Sequence, residues 1–103
     1  MFEIKYIDTA IKDLEEIINY IRNVLKNEKA ALSFIKDFDK QIKTIKVFPH
    51  ASSVYYPISS LKQQYRSAKV KNYILFYTID YDKKIITIIR VLYQKQNIDK
   101  VVI

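Results

Sequence analysis

Residues 65–93 constrain the fold most, because they read as three consecutive β-strands. Residues 73–79 are a run of aromatic and β-branched side chains without proline, which is typical of a central strand covered on both faces. Residues 65–70 alternate cations with small or aromatic side chains, which indicates a half-exposed strand. Residues 85–93 form an apolar run, and the polar segment 80–84 before them suits a hairpin connection. The sequence therefore predicts an antiparallel meander that the rest of the chain covers or extends.

The N-terminal half predicts one strand and two helices. Apolar and charged residues alternate over residues 2–6, the pattern of a short edge strand. Apolar residues recur three and four apart over residues 10–26, which predicts an amphipathic helix capped by Asp8 or Thr9. Asn27 is predicted to be the left-handed C-cap of that helix, and a second helix covers residues 28–47.

This order of elements predicts an α+β fold in which an N-terminal strand and a helical hairpin pack on a mostly antiparallel sheet. The chain length of 103 residues suits a single domain over residues 1–103. Phe48 and Pro49 end the second helix, and a loop then runs to about residue 64. A helical turn is expected within residues 59–64, and the apolar residues 101–103 are expected to dock on the sheet or on a partner.

Composition narrows the functional classes. The formal net charge is +7, so a polyanion or a strongly acidic protein is the favoured partner. The second helix carries part of this charge, although such a row is most often a solvated helix surface; its lysines are Lys36, Lys40, Lys43 and Lys46.

Several classes of site are excluded by residues that the chain lacks. It has no glycine, no cysteine and one histidine, which excludes glycine-rich nucleotide loops, thiolate or histidine-cluster metal sites, two-histidine nucleases and Cys/His triads. No cofactor and no metal are expected. No apolar run reaches the roughly 18 residues of a membrane span, and no signal peptide is visible, so we expect a cytoplasmic protein without membrane contact.

Cations and tyrosines on the meander are the remaining chemical groups. Metal-free RNA cleavage needs a proton acceptor, cations that stabilise charge on the phosphate, and a proton donor. Arg66 and Arg90 could stabilise the charge, and Tyr93 could move a proton. Two alternatives stay open at this point: Arg90 could pair with a helix carboxylate, and Tyr93 could be a core aromatic. His50 is expected to be a loop residue rather than a catalyst.

Four sequence segments resemble the RelE/ParE superfamily of toxins from type II toxin-antitoxin systems. These are DLEEIINYI in the first helix, FP after the second helix, YRSAKVKNYILFYTID in the meander and IIRVLY in the last strand. The resemblance covers nearly the whole chain. It implies the same fold and a cognate acidic antitoxin as partner, with which the protein could form a heterotetramer.

The resemblance also implies an activity, a ribosome-dependent mRNA endonuclease that arrests growth by acting on the ribosome and mRNA. The alternative is a non-enzymatic inhibitor of DNA gyrase, as in the ParE branch. Arg66 matches a basic position of the nucleases, and Tyr93 falls where one nuclease branch has a catalytic tyrosine. Ile74 stands where a catalytic arginine is common. The residues implied to contact RNA are Lys69, Lys71 and Lys95.

Overall fold

The computed structural model describes residues 1–50, 53–54 and 65–96. Its strands are β1 (Glu3–Tyr6), β2 (Ser53–Val54), β3 (Arg66–Val70), β4 (Tyr73–Asp80) and β5 (Ile85–Tyr93). Its helices are α1 (Asp8–Asn19), which continues into a π-helical turn (Tyr20–Val24), and α2 (Glu28–Val47). The helical turn predicted within residues 59–64 and the docking predicted for residues 101–103 lie outside the described residues.

The strands form one mixed sheet in the order β1-β5-β4-β3-β2. β1 runs parallel to β5, and the other neighbours are antiparallel. The meander has the predicted central strand β4, and the predicted α+β class with a helical hairpin is confirmed. The short strand β2, which pairs with β3 through Ser53 and Val54, lies in a segment predicted to be a loop.

The main core lies between the helices and one face of the sheet. The helices contribute buried side chains such as Ile17, Phe34 and Ile45, and the strands contribute Leu75 and Ile86. Because side chains alternate along a strand, Phe76 of β4 lies on the opposite face of the sheet, where it packs with Leu92 of β5. Both are buried, so β4 is covered on both faces as the sequence predicts.

The helix boundaries differ from the prediction in two places. The N-cap of α1 is Ile7, and no side chain caps it, so the predicted cap at Asp8 or Thr9 is wrong. Asn27 is the N-cap of α2, where its side chain accepts a hydrogen bond from the Ala30 amide at 3.0 Å, and it does not end the first helix. Asparagine is favoured both as an N-cap and as a left-handed C-cap. The path of the backbone between the two helices places Asn27 at the N-cap of α2. Across the described ranges, neither helix combines the length and apolarity that crossing a bilayer requires.

Lysines occupy three left-handed positions in this glycine-free chain. Lys26 ends the first helical segment with φ 52°, while Lys71 and Lys84 lie in the two hairpin turns of the meander, each with φ 54°. A left-handed backbone costs an L-residue with a Cβ roughly 1–2 kcal/mol. The connections are thus closed by residues that bear backbone strain, and each one also adds a positive charge to the surface.

Replacing Lys84 by glycine tests this strain. The Lys84→Gly variant should gain about 0.5–1 kcal/mol in free energy of unfolding, because glycine removes the Cβ clash at positive φ while adding some unfolded-state entropy. Urea denaturation measures the change. The matched control Lys83→Gly, in the same turn but at an ordinary φ, should lose stability, and a gain of equal size there would contradict the assignment.

Candidate functional site

One groove stands out on the surface of the described residues. It has a volume of about 780 Å³ and lies between the helical layer and the ends of β4 and β5. Its lining includes Asp13, Tyr20, Leu25, Lys71, Tyr73, Arg90 and Tyr93. Helix α1, the π-helical turn, the start of α2 and the last strand thus all contribute to one concave surface.

The π-helical turn forms one wall of this groove. The Leu25 amide donates to the Tyr20 carbonyl at 2.9 Å, five residues back, where an α-helix would use a bond four residues back. Tyr20, Ile21 and Leu25 all line the groove, and Tyr20 and Leu25 are about half exposed. π-Helical turns are rare and often occur at functional sites. The apolar spacing of residues 10–26 predicted a helix without this turn, since hydrophobic periodicity does not report one extra residue in a turn.

Aromatic rings form the floor of the groove. The ring centroid of Tyr73 lies 5.3 Å from that of Phe34 and 5.6 Å from that of Tyr93. Burial raises the pKa of Tyr73 above its usual value of 10, and the neighbouring Tyr93 and Tyr20 hydroxyls add to this rise. Tyr73 therefore remains a protonated hydrogen-bond donor at neutral pH and is not suited to act as a general base.

Arg90 is held by a carboxylate of the first helix. Its Nε donates to Asp13 Oδ2 at 2.7 Å, and its second guanidinium nitrogen donates to Asp13 Oδ1 at 3.0 Å. The Val91 amide donates to the same Oδ2 at 3.0 Å. The pair is largely buried, with 17% of the Arg90 side chain and 11% of the Asp13 side chain exposed. This confirms the alternative in which Arg90 pairs with a helix carboxylate.

A β-bulge explains why the carboxylate fits there. The register between β4 and β5 shifts between Phe76, which pairs with Arg90, and Tyr77, which pairs with Ile88. The extra residue on β5 is therefore Ile89. Bulges kink a strand and redirect side chains, and here Arg90 and the following amide both reach Asp13 on the helical side. No pattern in the strand sequence marks this bulge.

Lys71 is the second cation in the groove. Its Nζ lies 3.0 Å from Oδ2 of Asp37 on α2, and both side chains are partly exposed. An exposed pair of this kind contributes little to stability, on the order of 0–1 kcal/mol, and can open at little cost. The groove thus has two cations, each with a carboxylate beside it.

The structure divides the six predicted site residues into two groups. Lys71, Arg90 and Tyr93 lie in the groove, and Tyr93 is 41% exposed, so its alternative as a core aromatic is wrong. The other three lie outside the lining of the groove. They are Arg66, half buried at the start of β3; Lys69, exposed further along β3; and Lys95, exposed in the turn after β5.

The chain's one histidine lies at the other end of the sheet. His50 stacks on Tyr81 of the β4–β5 turn, with ring centroids 5.3 Å apart, and its Nδ1 is 3.3 Å from the Tyr81 hydroxyl. His50 is not part of the groove lining, and its expected role as a loop residue rather than a catalyst stays a prediction. Within the ranges that the structure describes, no three acidic or histidine side chains come together as ligands of a metal ion would.

Four of the groove residues named above, Asp13, Tyr20, Leu25 and Tyr73, were not among the sequence candidates. Asp13 was one carboxylate among several on an amphipathic helix, and Tyr20 was a polar-face aromatic. Asp13 sits at a position where the apolar stripe of α1 faces the sheet, and a buried carboxylate there requires a cation. A carboxylate at an apolar position of the α1 pattern was therefore the sequence signal that could have identified Asp13.

A family profile described as the ParE toxin of the type II toxin-antitoxin system, parDE, matches residues 4–98. The chain belongs to the ParE toxin family. It is a toxin of the RelE/ParE superfamily, as its sequence motifs predicted. No curated protein matches the sequence.

Solved structures share the ParE toxin fold at low sequence identity. The chromosomal ParDE toxin-antitoxin system from P. aeruginosa contains a chain with a TM-score of 0.69 and 20% identity, covering 90% of this chain and 96% of that one. A chain of the archaeal RelE-RelB complex from Pyrococcus horikoshii OT3 has a TM-score of 0.61 and 13% identity over 92% and 97%. A chain of the RelBE2 complex from Mycobacterium tuberculosis has a TM-score of 0.53 and 20% identity, covering 89% of this chain and 96% of that one.

Removing the charge of Asp13 tests the buried ion pair. Asp13→Asn should lower the free energy of unfolding by about 3 kcal/mol, because it leaves the Arg90 guanidinium buried without a counter-charge. Chemical denaturation measures the loss. Glu16→Gln, on the exposed face of the same helix, is the control and should stay within about 0.5 kcal/mol.

The double variant Asp13→Leu with Arg90→Met completes this test. It should recover most of the lost stability, since apolar side chains of similar volume can replace a buried pair. A loss below about 1 kcal/mol in Asp13→Asn would show that the pair does not hold α1 on β5.

Proposed function

We propose that this toxin arrests growth by binding DNA gyrase, without cleaving RNA. This was the alternative that the sequence motifs implied, and the arrangement of the groove favours it over the mRNA endonuclease. The observation that carries the proposal is the commitment of Arg90 to Asp13.

The groove lacks the electrostatics that phosphate cleavage requires. Charge that builds on the phosphate oxygens must meet cations aimed at it. Arg90 points two of its donors at Asp13, and Lys71 has Asp37 beside it. The lining carboxylates Asp13 and Glu16 balance the lining cations Lys71 and Arg90, so the groove presents no net positive charge to an approaching phosphate.

The positions of the other predicted catalytic groups argue in the same direction. Arg66 pairs in register with Tyr77, whereas Tyr93 pairs with Tyr73 at the far end of β4. With about 3.4 Å per residue along a strand, Arg66 and Tyr93 are on the order of 15 Å apart, too far to act on one phosphate. Ile74 occupies the usual arginine position and packs against Phe76 and Leu92 on the opposite face.

The groove is better suited to a polypeptide. Half-exposed tyrosines and Leu25 form an amphipathic surface, and tyrosine supplies large contact area with a polar tip. A protein target such as gyrase can bury these rings without any chemical step. The match to the ParE family profile supports the same choice, because inhibition of gyrase is what the resemblance implied for that branch.

Tyr93 separates the two activities. Tyr93→Phe keeps the ring and removes the hydroxyl, so a toxin that only binds gyrase should inhibit DNA supercoiling within about threefold of the original. Tyr93→Ala removes the contact area and should weaken inhibition on the order of tenfold or more. A supercoiling assay measures both.

Primer extension on transcripts from arrested cells is the parallel measurement. Intact transcripts are expected. Cuts within translated frames, together with a loss of about a hundredfold in Tyr93→Phe, would instead assign the mRNA endonuclease and a proton-transfer role to Tyr93.

We also propose that a cognate acidic antitoxin neutralises the toxin, because the similar structures named above come from a ParDE toxin-antitoxin system, a RelE-RelB complex and the toxin-antitoxin complex RelBE2. The net charge of +7 steers an acidic chain, and the groove offers apolar area for one of its segments. Assembly into a heterotetramer is part of the same proposal.

Steering and docking predict different kinetic effects. Reversal of both Arg66 and Lys69 to Glu should slow association with the antitoxin and flatten its salt dependence. Leu25→Lys in the groove should mainly speed dissociation, on the order of tenfold or more. Surface plasmon resonance over a salt series measures both rates, with Lys12→Glu and Lys83→Glu together as the charge-matched control. Equal rates in all variants would place the antitoxin elsewhere.

A further inference from the structure

The outer face of α2 carries an ordered row of lysines. With 3.6 residues per turn, Lys29, Lys36, Lys40 and Lys43 fall within roughly 60° of one another around the helix axis. The buried residues of α2, which include Phe34, Phe38 and Ile45, lie on the opposite side. We call these four residues the α2 lysine row. All four are exposed, so the row is the part of α2 that points away from the core.

These charges are mostly not compensated within the described part of the chain. Of the four lysines, only Lys43 forms an ion pair with a described residue, and its distance to Asp39 is 3.9 Å with both side chains more than 70% exposed. Such a pair opens readily. α2 also carries Glu28, Asp37 and Asp39, so its net charge is +2, whereas the net charge of α1 is −3. The outer face of α2 is therefore more positive than α1, and the four lysines of the row are exposed together on it.

The shape of the row suits a regular array of negative charges. Lys29 and Lys43 are separated by roughly 21 Å along α2 at 1.5 Å per residue. Duplex DNA presents one phosphate charge for about every 1.7 Å of its axis, so a straight helix of this length passes several phosphates. Lysine, a hydrated point charge on a flexible stem, contacts phosphates without requiring a fixed geometry.

The same face is less suited to a protein or to single-stranded RNA. Protein interfaces are depleted in lysine and enriched in aromatic residues, and single-stranded nucleic acids are bound by stacking of bases on aromatic rings. The residues that border the row are Leu32, Ser33, Asp39 and Val47, and neither they nor the four lysines have an aromatic ring on which a base could stack.

We propose that the α2 lysine row binds the phosphate backbone of duplex DNA without regard to base sequence. The row and the groove are separate surfaces, so DNA could be bound while a protein occupies the groove. Because the inference depends only on α2, it does not rest on gyrase being the target of the toxin.

Fluorescence anisotropy with a 20-base-pair duplex, about two turns of DNA, tests the proposal. The unchanged protein should bind with a Kd on the order of 10⁻⁵ M near 0.1 M salt. A plot of the logarithm of the binding constant against the logarithm of the salt concentration should have a slope of about −3.5. The triple variant Lys36→Gln, Lys40→Gln and Lys43→Gln should bind at least tenfold more weakly. Its slope should fall in magnitude by about 2.5–3.

A charge-matched variant controls for net charge. Lys5→Gln, Lys12→Gln and Lys83→Gln together remove the same charge from exposed positions on β1, α1 and the β4–β5 turn. This protein should bind within about twofold of the original. Glutamine is a good helix former, so the α2 variant should keep its fold, which circular dichroism and thermal unfolding verify.

Four results would overturn the inference. They are no binding by the unchanged protein at 100-fold above the expected Kd, an equal loss in both triple variants, tighter binding to duplex or single-stranded RNA of the same length, and equal binding to polyglutamate through the same lysines. A supercoiling assay on the same proteins keeps the two proposals apart. Failure to inhibit gyrase would remove the proposed function and leave the DNA measurement unaffected.

Discussion

The buried cluster of Asp13, Arg90 and the Val91 amide joins the helical layer to the sheet, and the groove depends on it. A carboxylate that accepts three hydrogen bonds from one strand fixes both the position and the rotation of α1 over β5. Largely buried charges are costly to separate, so α1 cannot slide along the strand without leaving one of them unpaired. The wall that continues from α1, including the π-helical turn, is held in place by the same contact.

The same cluster decides what the groove can do. Arg90 is the cation that a phosphate-cleaving centre would use, and in this structure it serves as the partner of Asp13. Tyr20, Tyr73 and Tyr93 then supply aromatic area to the lining, and burial raises the pKa of Tyr73. A surface of tyrosine rings, apolar side chains and paired charges is suited to recognising a polypeptide. Binding of a protein target is therefore the function that this geometry favours.

Charge is arranged on a second, separate surface. The net excess of +7 does not converge on the groove, since Lys71 and Arg90 have carboxylates beside them. Exposed lysines lie along α2, on β3 and in the turns, and three lysines adopt left-handed backbone angles. A toxin with an amphipathic groove on one side and a cationic helix on another can engage two kinds of partner through different physical forces.

Local patterns in the sequence were enough to predict most elements of this protein, but not β2 or the π-helical turn. Period-2 alternation and β-branched runs predicted β3, β4 and β5, and spacing of three and four predicted α2 with its observed ends at Glu28 and Val47. The motifs of the meander and the first helix indicated the superfamily. These properties follow from the preferences of neighbouring residues, which are present in any chain with that local sequence.

The tertiary structure alone decided how the site is assembled. Arg90 pairs with Asp13, 77 positions away, and the bulge at Ile89 lies next to this contact; no local pattern encodes either. The π-helical turn is local, but the spacing of apolar residues does not reveal it. Arg66 and Tyr93 looked like parts of one centre because both lie on the meander. The strand register separates them by four positions along β4 and by the width of two strand spacings, since position along a paired strand depends on hydrogen bonding between strands.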